Sequence, residues 1–382
     1  MSPLERKLHI VCVIAEMKPG GAQRVIAQLC NHFAAGPFYV TLVTLTPEKS
    51  FYELSDEVRI HTLNRVTEGT RFSRVVRVVA WITALRKAFT ELRPDVVISF
   101  IDMTNVMVLL ATIGMRLPVI VSERIDPAAY AHRLSRLDRH LRRLIYPRAS
   151  RIVVQTKRAA RFFDTRQNSK IVTIPNPVPA TDLAAQPDRP SPEGRFRIIC
   201  VGRLDHQKGF DILIESFLRV AHEFPIWDVV IFGEGSDRSA LQTQIQAYGL
   251  ENRVKLMGIS RDVASEMVRA HIIAFPSRYE GFPNALAEAM AVGLPAIAFN
   301  GVSGVEDLII DDETGLLIDW DQSKPESPIP PFVDGLRKLM TEAELRMRLG
   351  AGGKIRIQQY SPEIILKQWQ QLITEAEAIE NS

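Results

Sequence analysis

The sequence predicts an α/β protein of two doubly wound domains, each a parallel sheet covered by helices on both faces. Three observations predict it. Short apolar runs alternate with helical patterns almost from end to end. At 382 residues the chain exceeds what one core usually organises. The alternation lapses after Pro175, Asn176 and Pro177, in a stretch rich in Pro, Ala and Asp that reaches Gly194, and then restarts. The expected organisation is an N-terminal domain over 1–180, a linker over 181–195, a second domain over 196–360, and a terminal helix over 361–382 packing back toward the first domain.

In order, the first half offers strands at His9–Ala15, Val40–Thr44, Val96–Phe100, Val119–Ser122, Ile152–Gln155 and Ile171–Ile174. The second half offers Arg197–Val201, Val229–Phe232, Val254–Met257, Ile272–Phe275 and Ala296–Phe299, with a surface loop at Ser323–Pro331 and helical patterns over Phe332–Gly350 and Pro362–Ile379. The net charge of +3 argues against dedicated nucleic-acid binding. Cys12, Cys30 and Cys200 sit in or beside apolar runs without metal or redox spacing, as small core residues of a reducing compartment do. Ile10–Ala15 is too short for a signal peptide, and Arg116 and Pro118 break the run from Val106 to Val121, so no membrane span is expected.

Three sets of residues carry chemistry. Gly20 and Gly21 follow the first strand and open a helix through Val25, Leu29 and Phe33, letting a backbone approach a phosphate closely; a tight turn needs the same pair, and the third glycine of a dinucleotide fingerprint is missing. In the second half, Arg203 and Lys208 stand between a strand and the helix Asp211–Phe224. Two cations at a strand's carboxyl end suit a diphosphate, where each charge-assisted hydrogen bond contributes about 1.5–3 kcal/mol against about 0.3–1 for a helix dipole. Basic surface residues on a loop have the same appearance. Gly233 turns the chain after the next strand, and Ile259 follows the one after, where its backbone can lie against a nucleobase.

The third set is Glu280, Gly281, Phe282, Pro283, Asn284, Ala285, Leu286, Ala287, Glu288. An apolar strand precedes it, Pro283 suits the first helical position, and Gly293 with Pro295 stops the helix. Glu280 then lies in the loop before the helix and Glu288 more than a turn inside it. A glycosidase holds its two carboxylates about 5–10 Å apart across one bond; eight helical residues span roughly 12 Å, which disfavours a hydrolase. The spacing instead lets one carboxylate meet a sugar and the other a ribose. No Asp-x-Asp metal motif accompanies the phosphate-like loops.

Together these residues resemble the family 4 retaining glycosyltransferases of the GT-B architecture, two facing Rossmann-like domains with parallel sheets and a cleft between them. The likeness covers nearly the whole chain. It implies a nucleotide-sugar donor, UDP-linked by family habit, with no cofactor and no metal. It implies that Arg203, Lys208 and Glu280 are catalytic, the cations on the donor diphosphate and Glu280 on the donor sugar. Gly20, Gly21, Gly233, Ile259, Gly281, Phe282, Pro283, Asn284 and Glu288 are the further donor-binding positions, with Glu288 on the ribose. Because charge develops on the leaving diphosphate, fixed cations aimed there stabilise the transition state most, and no protein nucleophile is required.

The acceptor side carries over less well. Gln23 stands where the family often has Glu, and Glu123 and Arg124 stand where many members have a His. Asp102 and Glu123 are the expected acceptor-side carboxylates, though either also suits a helix cap. Ser99–Asn105 and Ser122–Arg124 look most similar to bacterial transferases of lipid-linked oligosaccharide, capsule or N-glycan assembly, including N-acetylgalactosamine transferases. That implies a hexose or N-acetylhexosamine moved to a glycan on polyprenyl diphosphate by a cytoplasmic enzyme, peripheral at the inner membrane's cytoplasmic face; a transferase for a soluble acceptor, a nucleotide-dependent oxidoreductase and a non-catalytic nucleotide-binding protein are the alternatives. The helix expected over Ser73–Arg93 has an apolar stripe of Val75, Val78, Ile82, Leu85 and Phe89 flanked by Arg74, Arg77 and Trp81, which suits an anionic membrane surface or an ordinary sheet-covering helix. A second basic helix carries Arg133, Arg136, Arg139, Arg142 and Arg143.

Overall fold

The computed structural model describes residues 7–63, 74–125, 136–163, 168–321, 323–324 and 328–381. The chain divides into two units, one of Met1–Pro177 with Glu363–Ser382 and one of Val178–Pro362.

The first unit holds a seven-stranded sheet in the order β3-β2-β1-β4-β5-β6-β7. Its strands are β1 (Leu8–Ile14), β2 (Phe38–Thr44), β3 (Val58–Thr62), β4 (Val96–Phe100), β5 (Val119–Ser122), β6 (Arg151–Val154) and β7 (Ile171–Thr173). Every pairing is parallel. β4 and β5 are buried along their whole length, as strands covered on both faces must be. The edge strand β3 buries only Val58, so its apolar run is too thin to mark it in the sequence. One face of the sheet packs on helix Gly21–Ala34 and on Ile365, Trp369, Leu372, Ile373 and Ala376 of helix Pro362–Asn381. Trp369 is fully buried and stacks on Phe100 with ring centres 6.0 Å apart. The other face is covered by Leu85, Ala88 and Phe89 of helix Arg74–Leu92 and by helix Asp102–Ala111.

The second unit holds a six-stranded sheet in the order β10-β9-β8-β11-β12-β13. It comprises β8 (Phe196–Val201), β9 (Trp227–Phe232), β10 (Val254–Gly258), β11 (Ile272–Phe275), β12 (Ala296–Phe299) and β13 (Leu316–Ile318), again all parallel. Strand order reverses between β1 and β4 in one sheet and between β8 and β11 in the other. Such reversals open a crevice at the carboxyl ends of the strands, where ligands bind. Residues before β8 attach to this unit, since the Ala185 amide donates to the Val292 carbonyl and that of Val178 to Tyr360. The helical pattern expected over Phe332–Gly350 is two helices, Ile329–Thr341 and Ala343–Ile357, divided where Glu342 leaves helical geometry.

Candidate active site

At the reversal in the second sheet, three loops leave adjacent strands and lace together through their backbones. Gly202 N donates to Phe232 O at 3.0 Å, Leu204 N to Glu234 O at 3.0 Å, and Gly233 N to Gly258 O at 2.7 Å. Gly233 has φ 143°, and a Cβ there would overlap the carbonyl oxygen of Gly202, so only glycine lets the two loops approach this closely. Ile259 follows at the end of β10 and is 70% exposed.

The loop after β8 ends in a short 3₁₀ turn, His206–Lys208, and then in Gly209, whose left-handed backbone starts helix Phe210–Val220. A Cβ on Gly209 would overlap the carbonyl oxygen of Pro276 in the loop after β11. The two loops are joined along their length. Arg278 N donates to Gln207 O at 2.8 Å, Gln207 Nε2 to Tyr279 O at 2.9 Å, and Lys208 Nζ to Glu280 Oε1 at 2.6 Å. The Lys208 stem runs beside Gly202, and its ammonium lies 5.5 Å from the centre of the Phe275 ring.

The structure therefore brings together Lys208 and Glu280, 72 residues apart in sequence, as a largely desolvated ion pair with side chains 17% and 6% exposed. Arg203 stands on the same loop, 66% exposed, with Nε on Asp205 Oδ2 at 2.6 Å. Its remaining donors are directed to a more open environment than those of Lys208. A fixed buried charge pair beside a solvated guanidinium can receive a polyanion at one end and a polar neutral group at the other.

Around the glutamate motif the chain differs from expectation by one position. Pro283 is the N-cap residue and the helix runs Asn284–Ala291. Gly281, Phe282 and Pro283 are buried, and Phe282 packs its ring 5.9 Å from that of Tyr360, so this stretch is a floor rather than a polar wall. Asn284 and Glu288 are half-buried on the helix.

In the first unit, Gly20 and Gly21 sit at the end of β1 where helix Gly21–Ala34 begins. The Tyr52 hydroxyl accepts from Gly20 N at 3.0 Å and donates to Gly20 O at 2.9 Å. The carboxamide of Gln23 lies over Gly20, where a Cβ would overlap it. At the neighbouring reversal strand, Ile101 has φ 76°, a strained backbone for a β-branched residue, immediately before Asp102 opens helix Asp102–Ala111. Asp102 is half-buried. Glu123 is 4% exposed, bonded to the Tyr146 hydroxyl and 3.3 Å from Arg142. Burial pushes its carboxyl above the ordinary range, although Arg142 and Tyr146 oppose this. Arg124 is buried with it, donating to Ser122 Oγ at 3.1 Å and to Asn176 Oδ1, its guanidinium 4.5 Å from the Phe100 ring centre. Burial lowers this guanidinium to about 9.

On helix Arg74–Leu92, Arg77 is exposed together with Val76 and Val79, whereas Trp81 is half-buried against the core. Ser73, Arg133 and the side chains of Arg74, Val75, Arg136 and Arg139 lie outside the described residues. Sequence reasoning missed Gln207, Arg278, Tyr52 and Tyr146. The first is adjacent to Lys208 and the second to the glutamate motif, but their partners are set by tertiary pairing that no local pattern reveals. Among the described residues, no three His, Cys, Asp or Glu side chains are grouped as a metal would need, and no helix is long and apolar enough to cross a membrane.

Residues 19–182 match the family model described as Glycosyltransferase Family 4, and residues 184–356 the model described as Glycosyl transferases group 1. Over 369 residues the chain is 26% identical to a Campylobacter jejuni protein, covering 96% of this chain and 99% of that one. That protein is named GalNAc-alpha-(1->4)-GalNAc-alpha-(1->3)-diNAcBac-PP-undecaprenol alpha-1,4-N-acetyl-D-galactosaminyltransferase. The chain is also 25% identical to the amylovoran biosynthesis glycosyltransferase AmsD of Erwinia amylovora, over 93% of this chain and 96% of that protein. Among solved structures, sucrose-phosphate synthase of Thermosynechococcus elongatus superposes with a TM-score of 0.82 at 18% identity, over 98% of this chain and 100% of that chain. Anabaena Alr3699/HepE in complex with UDP and glucose gives 0.75 at 17% identity, over 96% and 100%.

Proposed function

We propose that the chain, a glycosyltransferase whose two halves match glycosyltransferase family models, is a retaining, metal-independent enzyme that moves a hexose or N-acetylhexosamine from a nucleotide sugar, a UDP-sugar first, to a glycan carried on polyprenyl diphosphate. The observation that carries this reading is the Lys208–Glu280 pair at the reversal of the second sheet, with Arg203 exposed on the same loop. Arg203 and Lys208 take the donor diphosphate and stabilise the charge that develops on it as the sugar leaves. Glu280 holds a sugar hydroxyl, Glu288 the ribose, and the backbone at Gly233 and Ile259 the base. The acceptor attacks from the face the diphosphate leaves, with Asp102 and Glu123 belonging to the acceptor's unit. The lipid-linked acceptor is supported by the name of the Campylobacter relative, which carries a PP-undecaprenol glycan, and a role in polysaccharide assembly by that of the Erwinia relative, named for amylovoran biosynthesis.

The test is release of nucleoside diphosphate across a panel of sugar nucleotides, with and without polyprenyl-diphosphate glycans, and anomeric analysis of the product. A UDP-sugar with a lipid-linked glycan is expected to turn over with the donor's anomeric configuration kept; no release with any donor and acceptor would sink the reading. In the same assay Glu280→Gln is expected to lower kcat by about 10²–10³-fold, the scale for losing a group that acts in the transition state. Glu288→Gln should mainly raise the donor KM, by roughly 10–100-fold for a lost charge-assisted bond. The reverse pattern would exchange the two roles.

We place the enzyme at the cytoplasmic face of the inner membrane, with helix Arg74–Leu92 as the contact through Arg77 and the exposed Val76 and Val79, and with Arg74 as a further basic residue of that flank in the sequence. Flotation with anionic vesicles should retain the protein, and replacing both arginines by alanine should weaken binding by about 1 kcal/mol each. Unchanged flotation of that variant would remove the helix from the membrane contact.

A further inference from the structure

We propose that Arg278 is a positioning residue that fixes the Lys208 turn for the donor, acting with Asp211. This rests on the reading that the Arg203–Lys208 loop receives the donor diphosphate. The Arg278 side chain bonds both the turn and the helix after it, while its backbone ties the turn to its own loop. Nη1 donates to His206 O at 2.7 Å and to Asp211 Oδ1 at 2.9 Å, Nη2 donates to Asp211 Oδ2 at 2.6 Å, and its backbone N donates to Gln207 O at 2.8 Å. His206 and Gln207 are the two residues before Lys208, and Arg278 is two residues before Glu280. The guanidinium thus holds both partners of the Lys208–Glu280 pair at fixed offsets.

Physical chemistry favours arginine here. A three-residue 3₁₀ turn has poor hydrogen-bond geometry and little hold on its own shape. A planar fork can grip both oxygens of Asp211 and still present a hydrogen to the His206 carbonyl, which an ammonium on a flexible stem does less well. The Arg278 side chain is only 16% exposed, although Asp211 opposite it is 47% exposed. Burial tends to raise the Asp211 carboxyl, yet the hydrogen bonds and charge of Arg278 together outweigh it and hold the carboxyl below its ordinary range. Arg278 is enclosed and committed to Asp211, and Asp211, 47% exposed, is an anion that would repel phosphate, so neither is the group on the phosphate itself; their effect reaches the donor through where Lys208 stands.

The experiment measures UDP binding by calorimetry and steady-state kinetics for the full chain, its Arg278→Met, Arg278→Lys and Asp211→Asn variants, the Arg278→Met/Asp211→Asn pair, and Lys208→Met. Displacing a positioned group by about 1 Å can cost 10²-fold, so Arg278→Met is expected to weaken UDP binding and raise the donor KM by about 10–100-fold with the acceptor KM unchanged. Arg278→Lys should recover part of this, and the double variant should be no worse than Arg278→Met alone, because both changes release the same turn. Arg278→Met that binds UDP as the unaltered chain does would overturn the proposal, as would a lowered unfolding midpoint with unchanged donor KM. If the unaltered chain binds no nucleoside diphosphate, or Lys208→Met binds it equally well, the failure lies in the reading of the loop, which takes this proposal down with it.

Discussion

Lys208→Met is expected to lower kcat by about 10²–10³-fold and at the same time to loosen the second unit, two effects that one further substitution separates. The ammonium is the buried member of the two cations and lies 2.6 Å from Glu280 in surroundings largely closed to water. Removing a group that stabilises developing charge typically costs 10²–10³-fold in kcat. Independently, Glu280 is left buried without its cation, a change that costs about 3–5 kcal/mol when a desolvated pair is broken from one side. For a unit of this size each kcal/mol lowers the midpoint by about 2–4 °C, well within the reach of calorimetry. Lys208→Met/Glu280→Gln removes the orphaned charge, so it should regain most of the lost stability and none of the activity. A double variant as unstable as the single would mean that the pair is not what holds these loops, and an active single variant would take Lys208 out of the chemistry.

Gly209→Ala should be nearly as severe although it touches no charge. Its φ of 66° is unfavourable for any residue with a Cβ, and the added carbon has backbone, not a movable side chain, in its way at Pro276. Strain of about 1–3 kcal/mol from the backbone and a similar amount from overpacking predict a loss of about 2–6 kcal/mol. Pro276 starts the loop that carries Glu280, so the folded fraction should also bind UDP at least about tenfold more weakly, once a shift approaching 1 Å is propagated to the paired side chains. Gly249→Ala is the matched control in the same unit: its φ of 64° is equally left-handed, but nothing lies within 4 Å of the new Cβ. That variant should lose only about 1 kcal/mol and bind UDP normally. Equal behaviour of the two variants would show that close approach of the loops has no part in the site.

The parallel strands were legible wherever burial on both faces forces a continuous apolar run, as in β4, β5, β11 and β12. Of the edge strands, β7 and β10 were legible as apolar runs, whereas β3, which alternates poorly, and β13, with three residues, were not. Lys208 and Glu280 stand out in the sequence because each belongs to a local pattern of glycine, charge and helix start. That they touch each other does not stand out, since the pairing depends on β8 and β11 being neighbours across the reversal. The same holds for Arg278 with Asp211, 67 residues apart. Glu123 was legible as a carboxylate at a strand end, but its enclosure by Arg142 and Tyr146 comes from elements well downstream and could not be read from its neighbours. Pro283, expected at the first helical position, stands one residue earlier at the cap, because local rules locate a helix end only to within a residue or two.

The helix Pro362–Asn381 makes the first unit discontinuous, and this sets an order of events during synthesis. The face of its sheet that buries Ile10, Leu42 and Phe100 remains unfinished until Ile365, Trp369 and Ile373 emerge, some 260 residues after Phe100. Elongation proceeds at about 5–20 residues per second, so the part of this face that helix Gly21–Ala34 does not cover waits on the ribosome for roughly 10–50 seconds, while the second unit, contiguous from Val178 to Pro362, has all of its chain available earlier. The part of the protein made first is therefore the part completed last, and in the interval it is the natural client for a holding chaperone.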